Sequence, residues 1–523
     1  MKEASINLRY SVFVSLIVAL GGFLMGFDAS VISGVVKFIE PQFDLSKIQL
    51  GWAVSCLTLT ATLAMLMAGP LSDKFGRRTV LKYAAVLYFI SAIGSAIASS
   101  FWFLILARMV GGFGVGASLI IAPIYIAEIA PPKMRGTMVS FNQLNIVLGI
   151  SVAFFTNYMI LQLGKSSTAW AELLQFNKYN WRWMLGLEAL PAIIYFIFLF
   201  FVPRSPRWLA MNGLSHEALQ VMKRSVGESE AVNQLKSIIQ SIKVSPKKEK
   251  VSLKELFKPS MKLVLLIGIV IAVTQQITGI NSVFFYAPMI FEQTGIGTDA
   301  SFSQAIWVGL INLAFTVIAI GLVDRVGRKP LLIFGLTGIA ISMLVLSIGF
   351  GQASYQLSEK NIQDCSAFTE SADLVPMKDM VYNSDLEFNE ALKSHIGDIK
   401  FKEHQADFIA KAISINPWLV LIGILGFVAS FAISIGPVMW VLFSELFPNR
   451  IRGLAISFVG LINSGISFLV QLVFPWEQMN FGNATTFLIY GIFGAVGLVF
   501  VVFILPETKG KSLEELEFIL VKE

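Results

Sequence analysis

The chain has 523 residues, 55% of them hydrophobic and only 14% charged, with 43 Phe against 34 Asp plus Glu. Soluble domains carry about 25% charged residues, so this composition excludes an ordinary soluble protein and points to a lipid-facing exterior. The net charge of +6 reads as Lys and Arg held at one membrane face, and no nucleic-acid partner is expected.

An apolar stretch long enough to cross a bilayer needs about 20 residues. The first, 10–36, is too long for a signal peptide and has no small-residue cleavage site. It reads as span 1. Eleven more follow at 48–70, 79–98, 101–129, 138–160, 184–202, 261–291, 303–323, 331–350, 417–442, 453–475 and 484–505. They form two groups of six. Between the groups lies a polar segment, 203–260, with Lys-Lys-Glu-Lys at 247–250 and the patterning of short amphipathic helices. A second polar segment, 351–416, exceeds an ordinary loop.

The loop charges orient the chain. Lys74, Arg77 and Arg78 follow span 2, and Lys133 and Arg135 follow span 4. Arg204 and Arg207 follow span 6; Arg325, Arg328 and Lys329 follow span 8; Arg450 and Arg452 follow span 10. Alternating spans put all of these on one side, the cytoplasm, together with both termini. The expected domains are an N-terminal half over 1–202, a cytoplasmic linker over 203–260, a C-terminal half over 261–505 with an external insertion at 351–416, and a tail over 506–523. The expected location is the plasma or inner membrane. The lack of a glycosylation pattern beyond Asn483-Ala-Thr, with no targeting segment, favours a bacterial inner membrane.

The halves repeat. Asp73-Lys-Phe-Gly-Arg-Arg after span 2 is echoed by Asp324-Arg-Val-Gly-Arg-Lys after span 8, and Glu128 with Arg135-Gly136 is echoed by Glu445 with Arg452-Gly453. The first pair lies 251 positions apart and the second 317, a difference that the 351–416 insertion absorbs. A parallel repeat of two six-span halves is a transporter architecture, with substrate bound between the halves near mid-membrane.

In sequence these motifs resemble the major facilitator superfamily, and within it the sugar porters, which include xylose–proton symporters and glucose uniporters. The motifs are Gly69-Pro-Leu-Ser-Asp73-Lys-Phe-Gly76-Arg77-Arg78, Tyr125-Ile-Ala-Glu128 with Arg135-Gly136, Gln275-Gln276-Ile-Thr-Gly279-Ile-Asn281, Asp324-Arg-Val-Gly327-Arg328-Lys329, Ser444-Glu445-Leu-Phe-Pro448 with Arg452-Gly453, and Pro506-Glu507-Thr508-Lys509-Gly510. The resemblance covers the chain outside 351–416. It implies an all-α membrane protein of twelve transmembrane helices in two pseudo-symmetric halves. It also implies that Asp73, Arg77, Glu128, Arg135, Asp324, Arg328, Glu445 and Arg452 form cytoplasmic ion pairs that hold an outward-open state.

Polar residues inside spans are costly unless used. Asn and Gln both donate and accept, which suits sugar hydroxyls, and an indole offers a flat face to the sugar's C–H groups. Gln143, Gln275, Gln276, Asn281, Asn312, Trp440 and Asn463 lie within spans and match the family's sugar contacts in type. Gln276 and Asn281, five apart, are about 140° apart on an unbroken helix, so they converge only if the helix breaks, which Gly279 permits. Trp440 suits an interfacial anchor as well, but its place after Gly436-Pro437 argues for a kinked gating segment. A lone Asn in a span is also common interhelical glue.

Asp28 is an acid inside span 1, with Arg108 of span 4 as its plausible partner. Burial favours a neutral carboxyl and a nearby Arg a charged one. A group balanced between them can take up and release a proton. The resemblance implies the same, since the family's proton symporters carry Asp here.

Three departures limit the inheritance. Arg204 stands where the family has Glu, Phe285 where xylose symporters have Tyr, and Ser464 where many relatives have Trp. The expected function is proton-coupled uptake of a monosaccharide by alternating access. A facilitative uniporter, a polyol or inositol carrier and a non-transporting sugar sensor are the alternatives. Cys56 and Cys365 imply no disulfide framework, and His216, His395 and His404 all fall in polar stretches, which excludes a histidine metal site within the membrane. No enzyme activity, cofactor or metal is expected, and the expected form is a monomer in the lipid bilayer.

Overall fold

A computed structural model describes residues 8–131, 134–244, 253–365, 369–448, 450–511 and 515–517. Lys133 and the 247–250 run lie outside the described residues, as does the side chain of Asp324.

Among the described residues, eleven helices are long and apolar enough to cross a membrane. The last, Arg452–Phe503, has 52 residues and would run about 78 Å as one straight helix, more than twice the hydrocarbon thickness. Gly482, at φ 74° and ψ 165°, breaks it. The two pieces are spans 11 and 12, so twelve crossings result.

Spans 1 to 5 are Leu8–Gln42, Lys47–Phe75, Arg77–Ala96, Phe101–Ile129 and Arg135–Leu163. Span 6 comes in two pieces, Asn180–Gly186 and Ala189–Phe198, separated by Leu187 and Glu188. Span 7 is likewise broken, into Lys262–Ile277 and Ile280–Glu292. Spans 8 and 9 are Thr298–Val326 and Arg328–Gly351. Span 10 breaks at Ser434 between Pro417–Ile433 and Ile435–Leu446. Pro437 sits in the first turn of the second piece, where no N–H is needed, so the break falls just before the dipeptide that announces it in sequence.

Contacts group the chain into two compact units. The first comprises 1–29, 56–153 and 185–255. Its apolar core joins span residues such as Val18, Leu81, Tyr88, Ile121 and Tyr125 to Leu209, Ala218, Val221 and Leu235 of the linker. The linker forms short helices, Pro206–Met211, Ser215–Val226 and Glu228–Val244. The middle one buries Ala218, Val221, Met222 and Val226, one face at helical spacing. Small residues let spans approach closely: a Cβ on Gly26 would stand 1.9 Å from the Ile146 carbonyl oxygen.

The second unit comprises 30–55, 154–184 and 256–523. It holds the second six spans together with the C-terminal ends of spans 1 and 5 and the N-terminal end of span 2. Trp52 packs edge-on against Phe468, with ring centroids 5.6 Å apart. Lys37 of span 1 pairs with Glu292 at the end of span 7, at 2.7 Å.

The 351–416 segment is a small subdomain of this unit. Three short antiparallel strands, β1 Ser354–Gln356, β2 Val381–Tyr382 and β3 Ile413–Ser414, pair in the order β2-β1-β3. Helices Asp385–Ile396 and Asp398–Ala412 pack on them around Tyr355, Cys365, Phe388, Leu392 and Phe408. Asp385 Oδ2 accepts hydrogen bonds from the backbone N–H and side-chain amide of Asn483, at 2.9 and 2.8 Å, and so joins the subdomain to the turn between spans 11 and 12.

Candidate functional site

The break in span 7 builds the polar cluster. Gly279 adopts φ 90°, a left-handed conformation that costs a side-chain-bearing residue about 1–2 kcal/mol. A Cβ there would also meet the Tyr490 ring at 2.3 Å. The break swings Asn281 round until its Nδ2 donates to Gln276 Oε1 at 2.7 Å, a contact that a continuous helix forbids.

Span 11 supplies the other side. Asn463 Nδ2 donates to Gln275 Oε1 at 2.8 Å and to the Ala272 carbonyl at 2.9 Å. Gln276 Nε2 donates to Asn463 Oδ1 at 3.2 Å. Gln275 Nε2 reaches the Ile435 and Gly436 carbonyls, at 3.2 and 3.3 Å, where span 10 restarts after its break. Ser467 accepts from Asn281 at 2.7 Å and from Gln471 at 2.8 Å. Ser467 and Gln471 are additions to the predicted set. Their signal was in the sequence: Asn463, Ser467 and Gln471 recur every four residues, on one face of a helix.

Of the predicted substrate contacts, the fold therefore unites Gln275, Gln276, Asn281 and Asn463. Asn312 is buried on span 8. Trp440 is nearly half exposed, with its ring edge against Phe443. Among the described residues, neither is hydrogen-bonded into the cluster. Gln143 is exposed on span 5, in the other unit. Phe285 is buried on the second piece of span 7, Ile280–Glu292, and Ser464 is half-buried beside Asn463. The clustered amides satisfy one another, yet each both donates and accepts. A ligand hydroxyl can replace any one bond with little net loss, because an intramolecular hydrogen bond is worth only about 1 kcal/mol net.

The first unit holds a charged group. Asp28 and Arg108 are each 1% exposed, with Nη1 and Oδ1 3.5 Å apart. Among the described residues, Asp28 Oδ2 has no hydrogen-bond partner. Gly111 makes room for it, since a Cβ there would stand 2.9 Å from that oxygen. Sequence reasoning missed the third member. Glu188, at the break in span 6, is 2% exposed and interacts electrostatically with both Asp28 and Arg108. Its signal was an acid within an otherwise apolar run, Leu185-Gly-Leu-Glu188-Ala-Leu. Two buried carboxylates facing one guanidinium leave a negative charge uncompensated, an expensive condition that one bound proton relieves.

At the other end of the helices the repeated motifs fold alike. Gly76 at φ 88° and Gly327 at φ 108° turn the chain sharply between spans 2 and 3 and between spans 8 and 9. Arg77 Nη1 then donates back to the Ser72 carbonyl at 3.0 Å, and Arg328 Nη1 to Val323 at 3.2 Å. Arg77 pairs with Asp73 at 2.7 Å and Glu128 at 3.2 Å; Arg328 pairs with Glu445 at 2.6 Å. Ser205 donates to Glu128, and Thr508 donates to Glu445 at 2.6 Å. Arg135 is exposed, and Arg452 Nε donates to the Phe447 carbonyl at 3.0 Å rather than to a carboxylate. Glu507 accepts from the Arg328 and Lys329 backbone N–H groups, both at 3.1 Å. Its counterpart Arg204 instead faces Glu217, at 3.8 Å on the surface.

Twelve spans in two repeated halves, with polar clusters buried at the interruptions of several helices, define a multi-pass membrane transporter. The Sugar (and other) transporter family matches residues 14–368 and 404–520. The arabinose-proton symporter of Bacillus subtilis (strain 168) is 34% identical over 516 residues, covering 99% of this chain and 96% of that protein. The D-xylose-proton symporter of Escherichia coli (strain K12) is 33% identical, covering 98% and 96%. Among solved structures, the E. coli xylose transporter XylE in its inward-open conformation matches with a TM-score of 0.74 and 31% identity, over 97% of this chain and 99% of that one. The chain belongs to the sugar transporter family and has the major facilitator fold; it is a transporter, not an enzyme.

Proposed function

We propose that the chain couples the entry of protons to the uptake of a monosaccharide, a pentose or hexose, across the plasma membrane by alternating access, with both termini in the cytoplasm. The observation that carries proton coupling is the Asp28–Arg108–Glu188 group: two fully buried carboxylates and one guanidinium. The curated relatives named for proton symport of arabinose and xylose support the same reading.

Gln275, Gln276, Asn281 and Asn463 bind sugar hydroxyls by exchanging mutual hydrogen bonds for bonds to the ligand, with Ser467 and Gln471 holding Asn281 in place. Asn312 and Trp440 add to this site from spans 8 and 10, and Gln143 is a further sugar contact that the family resemblance implies. The break at Gly279 lets Ile280–Glu292 tilt separately from the inner half of span 7. Asp28 takes a proton from the outside and gives it up when Arg108 draws near. The pairs Arg77–Glu128 and Arg328–Glu445 bias which side is open, because an ion pair present in one state alone stabilises that state.

The test is uptake of labelled pentoses, hexoses and inositol into proteoliposomes, with and without an inward proton gradient, for the native chain and Asp28→Asn. Symport predicts gradient-driven accumulation that Asp28→Asn abolishes while leaving sugar exchange intact. Simple equilibration, indifferent to gradient and substitution, would make the chain a uniporter.

A further inference from the structure

A second polar cavity, of about 460 Å³, lies in the second unit between the 351–416 subdomain and the outer ends of spans 1, 7 and 11. Its volume falls within the range of small-molecule sites, about 300–1,000 Å³.

Among the described residues, the charged side chains that line it are matched except Glu390, which is exposed. Lys37 pairs with Glu292 at 2.7 Å, Lys47 with Glu40 at 2.6 Å, and Lys393 with Asp398 at 2.7 Å. Asp385 is occupied by the two donors of Asn483. Apart from Glu390, what remains for a ligand is neutral: the amides of Gln293, Asn389 and Gln405, beside the rings of Phe38 and Phe401. Asn389 Oδ1 is buried and, among the described residues, has no hydrogen-bond partner. A buried acceptor without a partner is costly, and a hydroxyl donor entering the cavity would satisfy it.

Neutral amides that donate and accept, set beside apolar ring faces, suit an uncharged polyhydroxylated solute better than an ion or an apolar compound. The cavity also stands at the outer end of the half-helix Ile280–Glu292, which carries Asn281 in its first turn, about 16 Å away along the helix axis.

We propose that this cavity is an outer capture site for the same class of solute as the amide cluster: a neutral monosaccharide or polyol, held by Asn389, Gln405 and Gln293 before it enters the membrane-embedded site. The proposal deepens the sugar-transport reading and rests on it for the solute class.

The test uses the full chain in proteoliposomes with Asn480→Cys as a reporter at the exposed cavity rim; both native cysteines are buried. Labelling by a membrane-impermeant maleimide is timed with arabinose, xylose, glucose or inositol present. It is repeated in a Gln276→Ala, Asn281→Ala background, and again with Asn389→Leu or Gln405→Ala. The expected result is that at least one solute slows labelling severalfold. The slowing should survive loss of the amide cluster and disappear with Asn389→Leu and with Gln405→Ala. Protection that vanishes with the amide cluster would overturn the outer site, because it would report the inner site at a distance. No protection in a chain that still transports would overturn it as well. Protection without transport of any of these solutes would uphold the outer site and overturn the transport reading.

Discussion

The guanidinium of Arg108 stands 3.5 Å from the carboxylate of Asp28, with both side chains withdrawn from solvent and with Glu188 as a second acid sharing the one cation. The three charges come from spans 4, 1 and 6, so one buried group ties together three helices of the first unit.

Removing the cation should therefore cost more than removing either acid. Arg108→Ala leaves two buried carboxylates uncompensated and is expected to destabilise the protein by about 3–5 kcal/mol. Glu188→Gln should cost well under half of that. Thermal melts in detergent check this, and Asp28→Asn in the Arg108→Ala background should recover part of the loss. An Arg108→Ala chain as stable as the native one would contradict the grouping.

Gly279 is expected to tolerate no side chain. Gly279→Ala faces both a left-handed backbone, about 1–2 kcal/mol, and the Tyr490 ring at 2.3 Å. Gly213, at φ 78° with nothing within 4 Å of an added Cβ, provides the control with backbone strain alone. The melting temperature should fall distinctly further for Gly279→Ala than for Gly213→Ala, and transport should fail in the former only.

The amide cluster should act as a unit. Asn463→Leu removes one of the two donors to Gln275 Oε1, leaving it Gln276 Nε2, and takes away the Asn463 acceptor of Gln276 Nε2. Sugar affinity is expected to weaken by about tenfold or more, equivalent to ~1.4 kcal/mol, as read from half-saturation of counterflow. Gln276→Ala in the same chain should add less than its effect alone, because the two side chains share bonds. Fully additive losses would mean that the amides bind independently.

The insertion should shield its thiol. Cys365 lies in the subdomain core, and burial pushes its thiol up to about 11. The group is raised, so the reactive thiolate is scarce near neutral pH and grows only as pH approaches that value. Folded protein should give almost no reaction with a thiol reagent at neutral pH, and the two cysteines of the chain should both react after unfolding in detergent. Prompt labelling of Cys365 in folded protein would show that the subdomain does not hold its core.

Much of the architecture was legible in sequence because a bilayer imposes a one-dimensional requirement. Each crossing must be about 20 apolar residues long and must satisfy its own backbone hydrogen bonds, so hydropathy alone located the twelve crossings. The repeated Asp73 and Asp324 motifs disclosed two halves, and Gly279 disclosed the break that brings Asn281 to Gln276. The insertion was legible only as a length; its strands and core depend on pairings such as Tyr355 with Tyr382 and Ile413, which local pattern does not specify.

Chain order alone thus determined the number of spans, the repeat and most of the costly polar residues, Glu188, Ser467 and Gln471 excepted, because each follows from composition within a single helix. Tertiary structure alone decided which of those residues meet. It united Gln275, Gln276, Asn281 and Asn463 and left Asn312 and Trp440 outside their hydrogen-bond network. It added Glu188 to Asp28 and Arg108, and it set Arg452 on a carbonyl instead of a carboxylate. The physical reason is that a buried polar group is satisfied by whatever partner packing brings within about 3 Å, and helix rotation, a helix break or the approach of a distant span sets that distance.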